Sequence, residues 1–348
     1  MIKKILKYTK NLTLLALGLV GIYLFNLFFM KPYSIDHFLG KELVIGLVDS
    51  PEAMTYIGIF DRFNWLTGHN SNLSIPKKDD RENSIEQYEH VIKTLYKYED
   101  SSLTEVQKNT KKIAIFDAEN NLKQVKEFPH HDYPLNQIGG IHLNTIEFLS
   151  DMHPIRNESE AEDFISRANL IKKVYEGVLA DLEEQASAGI FPPEFVYDHV
   201  IDQLSEFISY DYSEHPLYTQ FLRKVKELNV GQEKEKLFED QIKKAIDESV
   251  TPGFKILKDF MMRTKQYANK NHGIWSQPNG DEYYKLRIRS YTTTDYSPEE
   301  IHQMGLQEVD RISSRMREIL TELGYDKDKT VGELMNELNE NPEFLYED

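Results

Sequence analysis

Ser159-Glu160-Ala161-Glu162 opens a run in which Phe164, Ala168, Ile171, Tyr175, Val178 and Leu182 recur every three or four residues, until Gly189. That period lays the apolar side chains along one stripe of a long helix. Ser159 and Glu162 have the spacing of a capping box, and Gly189 is placed to end the helix. The same grammar continues outward. Pro192-Pro193 starts a helix carrying Phe195, Ile201, Leu204 and Ile208, and residues 215–229 and 231–249 read as two more amphipathic helices. Pro252-Gly253 breaks or kinks the pattern before it resumes from Phe254 to Tyr267. Toward the N-terminus, Ile85, Tyr88, Ile92 and Leu95 predict a helix from Ser84 to Tyr98, and Thr104 to Phe116 a second. Ser50-Pro51-Glu52 is a helix start, and residues 31–50 read as a short extended connector. Residues 117–158, with Pro129, Pro134, Pro154 and Gly139-Gly140, read as loops and short helices. Near the C-terminus, Ser297-Pro298-Glu299-Glu300 opens a helix to about Leu323, and Thr330 to Leu338 forms one more. The class is mainly α, a multi-helix array.

One stretch departs from the helical grammar. Pro278-Asn279-Gly280 is a turn signal. After Tyr283-Tyr284, Leu286, Ile288 and Ser290 alternate with Lys285, Arg287 and Arg289. A period of two predicts a short β-hairpin or strand near 274–294 with one basic face; a helix start is the alternative.

The N-terminus forms a separate part. No charge occurs between Lys10 and Lys31, and Thr13 and Asn26 are the polar interruptions after Asn11. As a helix, that run spans roughly 30 Å, the thickness of a bilayer core. A cleaved signal peptide and a buried core helix are the alternatives. The run is longer than a usual signal core, no small-residue cleavage site follows Phe28-Phe29-Met30, and lysines flank it. Residues 1–31 therefore read as an anchor through residues 11–30, and residues 32–348 as the body. Basic residues on the near flank place the N-terminus in the cytoplasm and the body outside it.

Charge and composition exclude some functions. The first 31 residues carry +5, which leaves −22 for the rest against a total of −17. An acidic body excludes general nucleic-acid binding, which needs a basic face for phosphates. The absence of cysteine excludes disulfides, thiolate zinc sites, thiol catalysis and an acylated lipoprotein cysteine. There is no His-Glu dipeptide, no Gly-x-Ser-x-Gly elbow and no phosphate-binding glycine loop. His130-His131-Asp132 with His142 is the one histidine cluster, and it lacks helical ligand spacing. Its plain reading is a surface loop. His199 reads as an ordinary helix residue and His302 as a solvated one. No catalytic or metal-binding set is complete in these residues. The segment from Tyr283 to Thr294 could line a peptide: a strand edge offers backbone hydrogen bonds, arginines bind carboxylates and tyrosines pack. Its plainer reading is a structural hairpin with solvated arginines.

Gln277-Pro278-Asn279-Gly280, Tyr283-Tyr284, Thr292-Thr293-Thr294-Asp295, Glu300-Ile301-His302 and Gly305-Leu306-Gln307-Glu308-Val309 resemble the bacterial family called domain of unknown function 885. Ser50-Pro51-Glu52, Leu135-Asn136-Gln137-Ile138, Gly189-Ile190-Phe191-Pro192-Pro193 and Val250-Thr251-Pro252 agree in order. The family is similar to helical zinc metallopeptidases, many of them secreted or lipid-anchored. The resemblance implies a long peptide-sized cleft and peptide hydrolysis by a metal-bound water, with a glutamate as general base. In the family, a His-Glu pair with a following Pro-Gly-His, and a later Glu-Gly-Trp, lie beyond the segment matched by Gly305–Val309, and neither is present here. The expectation is the N-terminal half of a membrane-anchored, extracytoplasmic zinc-metallopeptidase-like protein, incomplete at its C-terminus and inactive alone. Zinc is expected only with the missing half. Tyr283, Tyr284, Arg287, Thr292, Thr293 and Thr294 carry over as candidate cleft-lining residues. The other expectation is an anchored, non-catalytic helical module that binds peptides or a partner protein.

Overall fold

The computed structural model describes residues 2–345, with side chains from Lys10 onward, so Lys3, Lys4 and Lys7 of the basic flank lie outside the described side chains. Helix α1 (Ile2–Phe29) contains Lys10–Phe29, a stretch long and apolar enough to cross a membrane and almost entirely exposed. Its polar interruption has a local purpose. The Asn26 amide donates to the Lys31 carbonyl at 2.9 Å and accepts from the Tyr33 N–H at 3.0 Å, closing the helix end. The Lys31 ammonium then reaches the Lys97 carbonyl at 2.9 Å and lies over the Tyr98 ring.

Residues 31–50 are not an extended connector. Helix α2 (Ile35–Val48) fills most of them, capped by the Ser34 hydroxyl. Ile35 and Phe38 are buried with Leu95 and Tyr98, a long-range contact that local pattern cannot announce. Helices α3 (Pro51–Ile57) and α4 (Asn64–Thr67) follow, the first capped by Ser50. Helices α5 (Asp80–Leu95) and α6 (Glu105–Glu127) pack along each other, and Thr104 and Gln107 form a capping box. Helix α7 (Ile141–Glu147) runs into a π turn at Phe148–Met152.

Helix α8 (Glu158–Ser187) is the spine. Its six stripe residues, from Phe164 to Leu182, are all buried. The cap sits two residues earlier than the sequence suggests: Asn157 accepts from the Glu160 N–H, and Ser159 is already inside the helix. Gly189 takes φ +75 just past the end. The stripe is covered by α10 (Pro216–Glu227), α11 (Gln232–Ala245) and α12 (Thr251–Thr264), while α9 (Glu194–Ser209) packs on α12, and all four share one apolar core with α8. Pro252 does not end the helix. A π turn at Ile246–Val250 widens the backbone ahead of it, giving room to a ring that would otherwise meet the preceding turn's carbonyl. Gly253 is bare because α8 passes close: a Cβ there would lie 3.2 Å from the Lys172 Cα.

No strand forms near 274–294. A 3-10 turn at Ile274–Ser276 leads into helix α13 (Gly280–Thr292). Tyr283 and Leu286 are buried three residues apart, and Asp281 and Glu282 sit in the first turn, where the helix dipole favours acids. The alternation of Leu286 and Ile288 with basic residues lasts too few residues to outweigh that. Among the described residues, β-pairing is limited to one bridge, Pro193 to Asn269.

The chain divides into a unit ending at Gly280 and one beginning at Asp281. The second contains α14 (Pro298–Glu322), with the expected Ser297–Glu300 capping box, and α15 (Val331–Glu340), packed against it.

Candidate functional site

The residues singled out near 283–294 sit on a helix and its cap, so they do not form one strand face. Tyr283 is 2% exposed, too enclosed to line a cleft. Tyr284 is on the open side. Arg287, three residues on, donates to the Tyr291 hydroxyl at 2.9 Å and lies over the Tyr291 ring. Tyr284, Arg287 and Tyr291 thus share one helical face. Tyr291, 78% exposed, is the member that sequence reasoning missed. Thr292, Thr293 and Thr294 end the helix. Thr293 takes φ +55, and the Thr292 hydroxyl bonds the Ile288 carbonyl and the Thr294 hydroxyl. A positive φ is costly for a β-branched residue, and these bonds hold it there.

The histidine cluster does not converge. His131 bonds the Pro278 carbonyl at 2.7 Å, and His142 donates to Gln203 at 3.0 Å. The Gln203 amide donates to the Gln137 carbonyl, so its oxygen is the acceptor for His142. Among the described residues, no group of three or more His, Asp or Glu side chains could hold a metal ion.

A groove of about 700 Å³ is better placed for chemistry. It lies between the start of α5, the end of α6, residues 128–134 and the side of α8. Gly177 makes the groove possible: a Cβ there would sit 2.8 Å from the Pro76 carbonyl oxygen. The Gln185 amide donates to the His130 and Asp132 carbonyls at 2.6 and 2.7 Å, pinning the loop to α8. Arg81 spends its donors on the carbonyls of Val125 and Lys126 at the end of α6. Neutral carbonyls leave its charge in place, so Lys77, Lys78 and Arg81 bring positive charge to the groove alongside Asp80 and Glu82, and Asp181 and Glu184 lie on the α8 wall.

The groove also holds two shifted groups. Burial raises the Asp181 carboxyl, and the charges of Glu184 and Asp80 add to it. Burial lowers the His130 imidazole, against the pull of Glu184. A carboxyl that keeps its proton more readily and an imidazole that keeps it less line one concavity, a pattern common at functional sites. Cations and carboxylates lining one concavity suit a zwitterion or a short peptide with free ends. Asp181 and Glu184 read in sequence as an ordinary solvated helix face. Nothing local brings residues 128–134 beside them.

Residues 51–348 match the family described as "Bacterial protein of unknown function (DUF885)". Among solved structures, "The crystal structure of the putative lipoprotein from Colwellia psychrerythraea" is similar, with a TM-score of 0.72 and 24% identity. The match covers 86% of this chain and 54% of that one, so this chain spans about half its length. At that identity the likeness concerns the fold. No curated protein matches the chain.

Proposed function

The chain belongs to the DUF885 family of bacterial proteins, and on that premise we propose that it is a membrane-anchored, extracytoplasmic peptide-handling protein. Residues 1–348 supply the anchor, the helical scaffold and a peptide-contacting surface of a zinc-metallopeptidase-like fold. The observation that carries the reading is the groove over α8, which gathers Lys77, Lys78 and Arg81 with Asp181 and Glu184 in one concavity. An extended peptide with free ends presents complementary charges, and its backbone can bond the groove's polar side chains. The Tyr284–Arg287–Tyr291 face of α13 is a second surface suited to a peptide carboxylate.

The described residues do not fit a zinc ion, since no three of their ligand side chains come together. The protein's own groups bind and orient: Gln185 fixes the loop, the groove's cations and carboxylates hold the chain ends, and Asp181 and His130 can exchange hydrogen bonds with the backbone between them. The experiment is calorimetric titration of the purified full chain in detergent with tetra-alanine. The doubly blocked peptide and the double variant Asp181→Asn/Glu184→Gln serve as comparisons. Binding of the free peptide, weakened about fivefold or more by either change, is expected for a charge-matched site. Equal affinity across all three, or no binding, would sink the groove reading. Zinc-dependent cleavage of the peptide by this chain would overturn the scaffold role.

A further inference from the structure

The helices that follow α1 leave large apolar side chains uncovered. Leu43, Val44 and Val48 are exposed on α2. Farther along, Tyr56, Ile59, Phe63 and Leu66 are exposed, and Trp65 is 80% exposed. Between Leu43 and Leu66 the side chains charged at neutral pH are Asp49, Glu52, Asp61 and Arg62. Glu52 accepts from the Ser74 N–H and hydroxyl at 2.7 and 2.6 Å, and Asp61 pairs with Arg156 at 2.6 Å. Those two carboxylates are committed to the body, whereas Asp49 and Arg62 are exposed.

The segment is held firmly from beneath. The buried Arg167 guanidinium donates to the Thr55 hydroxyl at 2.6 Å, the His69 carbonyl at 2.9 Å and the Asn72 carbonyl at 2.8 Å. Met54 and Thr55 face inward and are buried. The apolar side chains are therefore displayed by a fixed backbone. They also begin beside the apolar α1: α2 packs on the end of α1, with Tyr23 edge-on to His37 and Asn26 bonded to the Tyr33 N–H.

We infer that α2 to α4 form an apolar shoulder that lies in the interfacial layer of the bilayer entered by α1. This rests on the anchor reading and adds a second contact to it. Lipid is the occupant that the observations favour. The shoulder adjoins the one described helix able to cross a membrane. It carries Trp65 and Tyr56, the residue types that concentrate at membrane interfaces. With a net charge of −17, the chain would adhere through apolar contact rather than a basic patch.

The two tryptophans allow a direct test. The full chain with Trp275→Phe keeps Trp65 as its one indole, and is reconstituted into phosphatidylcholine vesicles with or without brominated acyl chains. Trp65 emission should shift to the blue and be quenched about twofold or more by the brominated lipid, with no relief in high salt. A blue shift without lipid quenching would mean that a protein partner or second copy covers the shoulder, and would overturn the inference. Water-like, unquenched emission would overturn it too. A companion chain with Leu19→Trp, Trp65→Phe and Trp275→Phe reports on α1. Quenching there, with none at Trp65, removes the shoulder and leaves the anchor; no quenching at either position removes both.

Discussion

Arg167 has no exposed surface, and among the described residues it forms no ion pair. Its hydrogen bonds go to backbone carbonyls, the Thr55 hydroxyl and the His153 ring, with the Phe148 ring on one face. Burial brings its pKa down to about 10 against the pull of Glu52, Asp163 and Asp61, so it stays charged at neutral pH. His153 must then stay neutral. Its Nδ1 accepts from Arg167 at 2.7 Å, and its Nε2 donates to the Glu160 carbonyl at 3.1 Å. Burial, followed by the Arg167 charge, pushes it down to about 3. Burial likewise brings His215 to about 4 and lowers His69, His130 and His142. These five histidines titrate near 6.5 when unfolded. Below that pH the unfolded chain binds protons that the folded chain refuses. Their contribution to stability is present above pH 6.5 and lost as pH falls toward 4 and then 3. Melting temperature is expected to drop steadily on acidification from neutral pH. His153→Gln, which keeps an acceptor for Arg167 and a donor for Glu160, should lower stability at neutral pH and flatten the slope. A profile unchanged between neutral pH and pH 4 would contradict this account.

At the scale of elements, two helices meet other chain segments through glycines. Gly177→Ala sets two effects against each other. Alanine favours a helix interior by about 1 kcal/mol over glycine. Overpacking costs about 1–3 kcal/mol, and here the obstacle is the Pro76 carbonyl, backbone that cannot rotate away. The clash should win: lower thermal stability and weaker tetra-alanine binding are expected, and a more stable variant would show that the Pro76 segment yields. The α8 stripe and the α14 capping box could be read from the sequence because their signals are periodic and local. The α13 helix was masked by a six-residue alternation, and α2 by contacts with Leu95 and Tyr98 that are distant in sequence. The groove was illegible for the same reason. His130 is visible as one of a histidine pair, but Asp181 and Glu184 lie some fifty residues on, and long-range contacts such as the Gln185 bonds bring them together. A strand would put Arg287 and Tyr291 on one face and Tyr284 on the other, so the grouping of all three depends on α13 being a helix, which the alternation concealed.

For the whole molecule, the anchor reading predicts both residence and orientation. The protein should stay with membranes through alkaline extraction, and deletion of residues 11–30 should weaken that retention. The native chain has no cysteine, so Ser101→Cys on the exposed surface supplies a unique thiol. A membrane-impermeant maleimide should label it in intact cells if the body is outside the cytoplasm; labelling only after lysis would reverse the orientation. The latch at the end of α1 bears on what the body can reach. Residues 30–34 span at most about 18 Å even when fully drawn out, and the Asn26 and Lys31 bonds keep them from being drawn out at all. With α1 embedded, the body is a boat moored at the quay rather than a kite on a string. The part of the body that α2 carries would then drift with the membrane in two dimensions, with no slack line on which to swing away from it.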